Sequence, residues 1–164
     1  MRGQKELYDT LEKLGINFEY HEHPPIPTIE AAIYYWKDYN SDRCKNIFFR
    51  NHKGNRHYLV ILEHLRQLDI HDLEKRLKQG KLTFASDQRL KTYLGVEPGS
   101  VSPFGLINDT GHHVHLFIDE QLEHAERLAF HPNTNTATLV ISKTYFIKFL
   151  EHMGNSYEFI RLYD

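Results

Sequence analysis

The apolar positions of the chain recur with two different periods, and these periods predict a mixture of helices and strands. Five segments carry apolar residues at helical spacing: 7–14, 29–36, 69–77, 86–94 and 142–152. Nine shorter segments alternate or are rich in β-branched and aromatic residues: 18–20, 44–51, 57–62, 81–85, 106–108, 113–119, 127–130, 136–141 and 157–162. Helices and strands therefore interleave along the whole chain, with no internal repeat.

Residues that favour helix ends and turns stand where these segments begin and end. The candidate helix caps are Thr28, Asp69 or Asp72, Ser86 and Ser142 at the amino ends, and Gly15, Gly95 and Gly154 at the carboxyl ends. Turn-forming residues at 52–55, 109–111 and 132–135 separate strand pairs, and the prolines keep residues 21–27 extended. We therefore predict an α+β (α/β) fold with a mixed sheet, in a single domain that spans residues 1–164.

Composition indicates the cellular compartment of this domain and the kinds of partner it can bind. A chain of 164 residues and 19.5 kDa can bury a core without disulfides or structural metals. Its single cysteine, Cys44, cannot form an internal disulfide, and no apolar run has the length of a membrane span. We expect a cytoplasmic protein with no membrane partner. The net charge of -2 argues against a protein that coats nucleic acid, although basic residues cluster at 43–56 and 75–91.

The twelve histidines are the first candidates for chemistry. His21 and His23, and likewise His113 and His115, are two residues apart and can share one face of a strand. A metal site needs three or four convergent ligands, and no HExxH, paired CxxC or carboxylate-rich loop accompanies them. The sequence also lacks a Gly-x-Ser-x-Gly elbow, a phosphate loop and a dinucleotide fingerprint. These residues therefore do not favour metal, nucleophile or cofactor chemistry.

A second candidate is the stretch GVEPGSVSPFGLIND, residues 95–109, which holds three glycines and two prolines. Glycine lets a backbone approach a ligand closely, and proline fixes the direction of the chain. The N–H groups of residues 100–102 can form a concave site for an anion or an oxyanion, because Pro103 has no N–H. Lys45 stands at the start of an apolar strand. It is either a charge on an edge strand that prevents aggregation, or a residue that binds a phosphate or carbonyl group.

Six motifs of the chain, taken in order, resemble the YbaK/prolyl-tRNA editing domain family. They are YHEHPP (20–25), TIEAA (28–32), CKNIFFR (44–50), LGV (94–96), GSVSPFGLIND (99–109) and HPNTNTA (131–137). Each motif is common by itself, but six in the same order are highly specific, and they cover most of the chain. Within the family they are most similar to the free-standing proteins that deacylate mischarged alanyl-tRNA(Pro).

The resemblance implies a mixed, mostly antiparallel β-sheet flanked by helices, and an aminoacyl-ester hydrolase that uses no protein nucleophile, metal or cofactor. It implies that Lys45 engages the terminal adenosine phosphate or the aminoacyl carbonyl, with Asn46 and His131 at the same pocket. The backbone amides of the loop hold the ester, which makes its residues part of the catalytic site: Gly99, Ser100, Val101, Ser102 and Pro103. Water attacks, helped by the terminal ribose hydroxyl of the substrate.

One conflict accompanies these expectations. On a regular strand Lys45 and Asn46 face opposite sides, so a bend at the start of the strand is needed to bring both to the substrate.

The resemblance also implies the substrate, which is the aminoacylated 3′ end of tRNA(Pro), and a candidate partner, prolyl-tRNA synthetase. A pocket built for proline cannot exclude the smaller alanine, so a second site too small for proline removes it. Ile29, Ile33 and Phe49 are candidates for the wall of that site, although a core position also suits each of them.

Three other hypotheses remain open. The protein could deacylate cysteinyl-tRNA(Pro) or another small aminoacyl-tRNA, bind tRNA ends without catalysis, or be a histidine-based metal hydrolase. The near-neutral charge suits contact with a short acceptor end, for which the two basic clusters are candidates.

Overall fold

The computed structural model describes residues 1–25, 34, 37, 39, 41–63 and 66–164. The helices of this part of the chain are α1 (Lys5–Lys13), α2 (Ile70–Leu77), α3 (Asp87–Leu94) and α4 (Lys143–Met153), with short 3-10 helices at Pro103–Asn108 and Glu120–His124. The strands are β1 (Glu19–Glu22), β2 (Asp42–Asn51), β3 (His57–Glu63), β4 (Leu82–Phe84), β5 (His115–Asp119), β6 (Arg127–Phe130), β7 (Ala137–Ser142) and β8 (Tyr157–Ile160). No helix among the described residues is long and apolar enough to cross a membrane.

The described strands form one eight-stranded sheet in the order β1-β7-β6-β2-β3-β5-β8, with β4 beside β2. The pairs β1–β7, β6–β7, β2–β3 and β2–β4 are antiparallel, and the pairs β2–β6, β3–β5 and β5–β8 are parallel. The prediction of an α+β fold with a mixed, mostly antiparallel sheet and flanking helices is confirmed.

The two faces of this sheet carry different cores. On the first face, helices α1, α3 and α4 pack over alternate strand residues such as Phe48, Leu59 and Ile61. On the second face, α2 packs over the intervening residues, among them Phe49 and Val60. Successive side chains of a strand point to opposite faces, so the cluster that a residue joins shows which face it occupies.

Strand β2 has two different neighbours along one edge. β6 pairs with Asp42 and Arg43 at its start, and β4 pairs with residues 49–51 at its end. Main-chain groups of successive residues point to alternate edges, and the N–H of Ala85, just after β4, donates to the carbonyl of Phe48 at 2.9 Å. Asn46, two residues earlier, therefore directs its N–H and C=O into the gap between β6 and β4.

The helix ends follow the predicted caps. The side chains of Asp69, Ser86 and Ser142 each accept a hydrogen bond from a backbone N–H in the first turn of the helix that follows. At the carboxyl ends, Gly15, Gly95 and Gly154 have positive φ. Asp69, and not Asp72, caps α2.

Residues 106–108 belong to a 3-10 helix, so the prediction of a strand there is wrong. The Oγ of Ser102 accepts a hydrogen bond from the N–H of Phe104 at 3.0 Å, and Pro103 stands in the first turn. Both features start a helix. Gly105 allows this turn to pack on α3, because a Cβ there would lie 2.9 Å from the carbonyl oxygen of Leu94. The helix predicted over 29–36, with Ile29 and Ile33, lies outside the described residues apart from Tyr34.

Candidate active site

Lys45 stands near the start of β2, and its orientation decides which face of the sheet the site occupies. Ile47 and Phe49, the next residues on its side of the strand, pack against the core of the second face. Pairing with β3 runs through Lys45 and Leu62 in an uninterrupted register. Lys45 therefore projects from the second face, where its Nζ donates to the carbonyl oxygen of Arg66 at 3.1 Å.

His131 reaches the same face from a distant part of the sequence. It directly follows β6, which runs parallel to β2 with Ala129 beside Arg43. Paired residues of neighbouring strands project from the same face, and residues two apart on a strand share that face. Two residues beyond this pair stand Lys45, still on β2, and His131, just past the end of β6, so we expect both side chains on the second face. The predicted proximity of these two residues is compatible with this pairing and stays a prediction.

A hydrogen bond sets the tautomer of His131. Its Nδ1 lies 2.8 Å from the carbonyl oxygen of Ala137, which can only accept, so Nδ1 carries the proton. Burial lowers the pKa of His131, and the nearby His23 ring lowers it further, while the bond to Ala137 acts in the opposite direction. The neutral ring keeps a lone pair on Nε2, and no other described residue hydrogen-bonds to that atom.

The ring of His23, which follows β1, lies close to the ring of His131. The two ring centroids are 5.8 Å apart, and His23 is only 3% exposed. Its Nδ1 lies 2.9 Å from the carbonyl oxygen of Pro24, and its Nε2 lies 2.8 Å from the hydroxyl of Thr138. Thr138 was not among the predicted site residues, because an isolated threonine in a strand carries no sequence signal. The spacing of His21 and His23 was the one available hint.

Asn46 does not stand beside Lys45. Cys44 and Phe48, the residues on either side of it with the same orientation, pack against the core of the first face. The β2–β3 register has no bulge in residues 44–50, so the bend that would bring Asn46 and Lys45 together is not found in this strand. The side chains of Asn46 and Lys45 therefore lie on opposite faces of the sheet, and the placement of Asn46 at the pocket stays a prediction. Its Oδ1 is buried, without a hydrogen-bond partner among the described residues.

The loop of residues 99–103 connects α3 to the 3-10 helix. Gly99 has a φ of +87°, a conformation that residues with a Cβ rarely adopt. The N–H of Ser100 donates to the carbonyl of Glu97 at 3.1 Å, which corrects the expectation that the amides of 100–102 are all free. The N–H groups of Val101 and Ser102 donate to no described residue. Two main-chain N–H groups of the loop therefore remain as candidates to bind an anion or a carbonyl oxygen.

The serine side chains of this loop stabilise its conformation. Ser100 and Ser102 are buried, and Ser102 caps the 3-10 helix that Pro103 begins. Neither hydroxyl is presented to solvent as a nucleophile. The chemistry available from the loop is that of its backbone.

Polar side chains fasten this region to the turn after β6. A Cβ on Gly99 would lie 3.7 Å from Nδ2 of Asn135, within that turn. The Oε1 of Gln4 accepts hydrogen bonds from Nδ2 of Asn108 and Nδ2 of Asn133, each at 3.0 Å. The glycine-rich loop and the segment that starts with His131 are thus held side by side.

Phe49 occupies a core position. It is 0% exposed, packs with Leu73 and Leu77 of α2, and has its ring 5.0 Å from that of Phe84. A residue without exposed surface does not line an open pocket, so the expected wall role of Phe49 is corrected.

Most cations of the two basic clusters are engaged. Arg50 donates to the carbonyls of residues 51 and 52, Arg76 to Asp72 and Asp164, and Arg89 to Gly54 and His57, while Lys91 pairs with Glu97. Lys75, Lys78 and Lys81 are exposed and form no ion pair with another described residue. Phe84 is 60% exposed on the adjacent strand β4. We call these four residues the α2–β4 patch.

The candidate groups are a cation at Lys45, a lone pair at Nε2 of His131, and the backbone N–H groups of Val101 and Ser102, which donate to no described residue. Val101 packs against the core of the first face, whereas Lys45 projects from the second. Such a set can bind an anion or a carbonyl oxygen and can accept a hydrogen bond from water or an amine. Within the described ranges, no group of three His, Cys, Asp or Glu residues could hold a metal ion. The hydroxyls near these groups are buried: those of Ser100 and Ser102 lie within the loop, and that of Thr138 lies 2.8 Å from Nε2 of His23.

Residues 23–149 match the family model described as the aminoacyl-tRNA editing domain, and the chain belongs to that family. The family predicted from the six motifs is thereby confirmed.

The chain is also similar to individual proteins of known sequence or structure. The chain is 35% identical over 162 residues to the Prolyl-tRNA editing protein ProX of Acetoanaerobium sticklandii, with 99% of each chain covered. It is 33% identical over 156 residues to Prolyl-tRNA synthetase associated domain-containing protein 1 of Xenopus laevis, covering 93% of this chain and 92% of the relative. The crystal structure of a candidate trans-editing enzyme for prolyl-tRNA synthetase shares the fold, with a TM-score of 0.70, 18% identity, and coverage of 98% and 99%.

Proposed function

We propose that the protein is a trans-editing aminoacyl-tRNA deacylase that hydrolyses the ester of Ala-tRNA(Pro), in the cytoplasm and without a metal or cofactor. The observation that carries this proposal is the parallel pairing of β2 with β6, which sets the strand residues that lead to Lys45 beside those that lead to His131. The identity of 35% over 99% of the chain to a prolyl-tRNA editing protein supports the substrate class. Prolyl-tRNA synthetase, which generates the mischarged tRNA, is the proposed partner.

In this proposal the oxygen of a water molecule attacks the carbonyl carbon of the aminoacyl ester. The ammonium of Lys45 has three N–H donors, so it can keep its bond to the carbonyl of Arg66 while it donates to the ester carbonyl oxygen or to the terminal phosphate. The amides of Val101 and Ser102 donate to the oxyanion as it forms, and one such donor contributes about 3–4 kcal/mol to a transition state. The bond to the ribose oxygen then breaks, that oxygen takes up the proton that water lost, and free alanine leaves.

His131 would act through the lone pair of Nε2. A neutral imidazole acceptor at this position can orient the attacking water or the α-amino group of alanine. The terminal ribose hydroxyl of the substrate helps to activate the water. Since none of these steps consumes a protein nucleophile, the site returns to its starting state when alanine and the deacylated tRNA leave.

Selectivity for alanine follows from size. One methylene group contributes about 1–3 kcal/mol of discrimination in an apolar pocket, too little for a synthetase to exclude alanine from a proline site. A second site that prolyl esters cannot enter supplies the remaining discrimination.

The α2–β4 patch is the proposed contact for the tRNA acceptor end. Its three lysines can neutralise phosphates, and the exposed ring of Phe84 offers a stacking surface for a base. Replacing Lys75, Lys78 and Lys81 together by Gln should raise KM and reduce its dependence on salt, with kcat nearly unchanged.

The deciding experiment mixes the protein with alanyl-, cysteinyl- and prolyl-tRNA(Pro), with and without a chelator. Wild type is compared with Lys45→Ala and with Lys53→Ala, which removes an exposed lysine of the β2–β3 turn. Loss of the alanyl ester alone, resistant to chelator and abolished only by Lys45→Ala, is the expected result.

The remaining outcomes separate the other hypotheses. Preferential hydrolysis of the cysteinyl ester would show that cysteinyl-tRNA(Pro), and not alanyl-tRNA(Pro), is the substrate. Inhibition by the chelator would indicate a metal hydrolase. Binding of the tRNA without hydrolysis of any ester would leave a non-catalytic module.

A further inference from the structure

We propose that Arg66 is a positioning residue whose clamped side chain fixes its own main-chain carbonyl, and that this carbonyl holds Lys45 in place for catalysis. This inference rests on the proposed function for the role of Lys45, but the clamp itself is a feature of the fold. It assigns a part in the reaction to a residue that contributes no side-chain atom to the site.

The contact with Lys45 is the first step of the argument. A lysine side chain has a flexible four-carbon stem, and holding its ammonium in one place costs conformational entropy. In the described part of the chain, the ammonium of Lys45 donates to a single acceptor, the carbonyl oxygen of Arg66, at 3.1 Å. The position of this carbonyl therefore selects the position of Nζ before substrate binds.

The side chain of Arg66 is held at three points. Its Nη2 donates to Oε1 of Gln121 at 2.7 Å, and its Nε lies 3.8 Å from Oε2 of Glu63. The guanidinium carbon stands 5.0 Å from the ring centroid of Tyr163, in a cation–π contact. These partners come from β3, from the 3-10 helix after β5, and from the segment after β8. The arginine thus joins three separate parts of the fold to the carbonyl that holds Lys45.

Tyr163 holds the guanidinium of Arg66 through its ring and not through its hydroxyl group. The ring packs against the core of the second face, whereas the hydroxyl oxygen is buried without a hydrogen-bond partner among the described residues. Arg76 of α2 holds the surrounding segment by donating to the carbonyl of Arg161 at 3.2 Å and to the carboxylate of Asp164 at 2.9 Å. The segment after β8 is therefore a fixed support for Arg66.

Buried charge also favours this arrangement. Asp119, at the end of β5, is only 1% exposed, and burial raises its pKa, while the N–H of Gln121 and the positive charge of Arg66 act in the opposite direction. Removing the Arg66 guanidinium would leave this carboxylate with less compensation, so the arginine has a local reason to keep its position.

The test compares two pairs of variants. Arg66→Ala is matched with Arg127→Ala, which removes an arginine paired with Glu19 at 2.6 Å on β1, away from Lys45. Tyr163→Leu removes the ring, whereas Tyr163→Phe keeps the ring and removes only the unpartnered hydroxyl. Each variant is assayed for kcat and KM with the aminoacyl-tRNA that wild type hydrolyses, and thermal unfolding identifies any variant that does not fold.

A second readout does not depend on catalysis. A brief reaction with an amine-acetylating reagent, followed by peptide mass spectrometry, gives the labelling rate of Lys45 relative to exposed Lys53. Arg66→Ala and Tyr163→Leu should raise this ratio about two- to tenfold, the range expected for the loss of one net hydrogen bond. Their kcat should fall roughly tenfold with KM nearly unchanged, because a displaced group costs transition-state alignment. Arg127→Ala and Tyr163→Phe should match wild type in both assays.

Each contrary outcome has a separate meaning. An unchanged labelling ratio in folded Arg66→Ala would overturn the positioning role, and so would an equal change in Arg127→Ala. A raised ratio with normal kcat would show a clamp that does not serve catalysis, which also overturns the inference. If wild type hydrolyses no aminoacyl ester, the proposed function fails, while the labelling ratios still report whether the clamp exists.

Discussion

The ring of His131 donates a hydrogen bond from Nδ1 to the carbonyl oxygen of Ala137, across the turn that joins β6 to β7. This bond leaves Nε2 as the acceptor, and burial keeps the ring neutral by lowering its pKa. The two effects together give the site a hydrogen-bond acceptor over a wide range of pH.

The first prediction concerns the pH profile of deacylation. Because the pKa of His131 lies below the ordinary value of about 6.5, its lone pair persists at that pH and is lost only in more acidic solution. Rates measured in single turnover should therefore lose less at pH 6.5 from this group than they would from a histidine with an ordinary pKa. His131→Gln should lower the rate and remove the acidic limb. An acidic limb centred at an ordinary histidine pKa in wild type would contradict the assignment.

Replacing Gly99 by alanine should damage catalysis more than folding. A residue with a Cβ at φ of +87° is strained by roughly 1–2 kcal/mol, and the chain must shift to relieve this. The shift would move the amides of Val101 and Ser102. Gly80→Ala is the matched control, because Gly80 has a similar φ of +78° and open space around it, away from the loop. Chemical denaturation should give similar losses for both variants, and only Gly99→Ala should lose turnover. Normal turnover in Gly99→Ala would remove the loop from the mechanism.

Phe49→Ala should act on stability. A fully buried phenylalanine truncated to alanine costs about 3–5 kcal/mol of unfolding free energy, whereas Phe49→Leu retains most of the packing. Urea denaturation measures both. A pocket-wall role predicts a different result, in which Phe49→Ala stays stable and begins to hydrolyse prolyl-tRNA(Pro).

The stability of the protein should fall in mild acid because of His57. This ring is 1% exposed, accepts a hydrogen bond from Arg89 at 2.9 Å, and lies 2.8 Å from His113. Burial lowers its pKa from 6.5 to about 4, and neighbouring positive charge adds to this effect. Between these values the unfolded state binds more protons than the folded state, so the unfolding free energy decreases as the pH is lowered.

The size of this effect is up to about 3 kcal/mol between pH 6.5 and pH 4. Denaturation curves across this range should show the slope in wild type and a flatter dependence in His57→Gln. His52→Gln, at an exposed position in the β2–β3 turn, should retain the wild-type slope. Equal slopes in all three proteins would exclude His57 as the source.

The local elements of this fold were predictable from the sequence because each depends on neighbouring residues. The hairpin of β2 and β3 follows from two β-rich runs around a glycine-containing turn, and α2, α3 and α4 begin after side chains that cap them. The segment 106–108 was misassigned because three apolar residues fit a strand or a helical turn equally well. The segment is helical because Ser102, which stands before it, caps the 3-10 helix.

The site was predictable only where residue type carries the signal. Lys45, His131 and the glycine-rich loop were found from motifs. No local pattern encodes the parallel pairing of β2 with β6, which sets the segments of Lys45 and His131 side by side. The conflict over Asn46 was visible in strand geometry and was decided by the bulge-free register. Arg66 could not be found, because a main-chain carbonyl has no residue-type signature.

The gap beside Asn46, between β6 and β4, has a consequence for hydrogen–deuterium exchange. Lys45 and Ile47 direct their amides toward β3, where the ladder protects them, whereas the amide of Asn46 points into the gap. We expect protection to alternate from one residue to the next in the middle of a central strand. Uniformly slow exchange in free protein would show that another part of the chain fills the gap, and slowing at Asn46 alone on addition of a substrate analogue would place the ligand there.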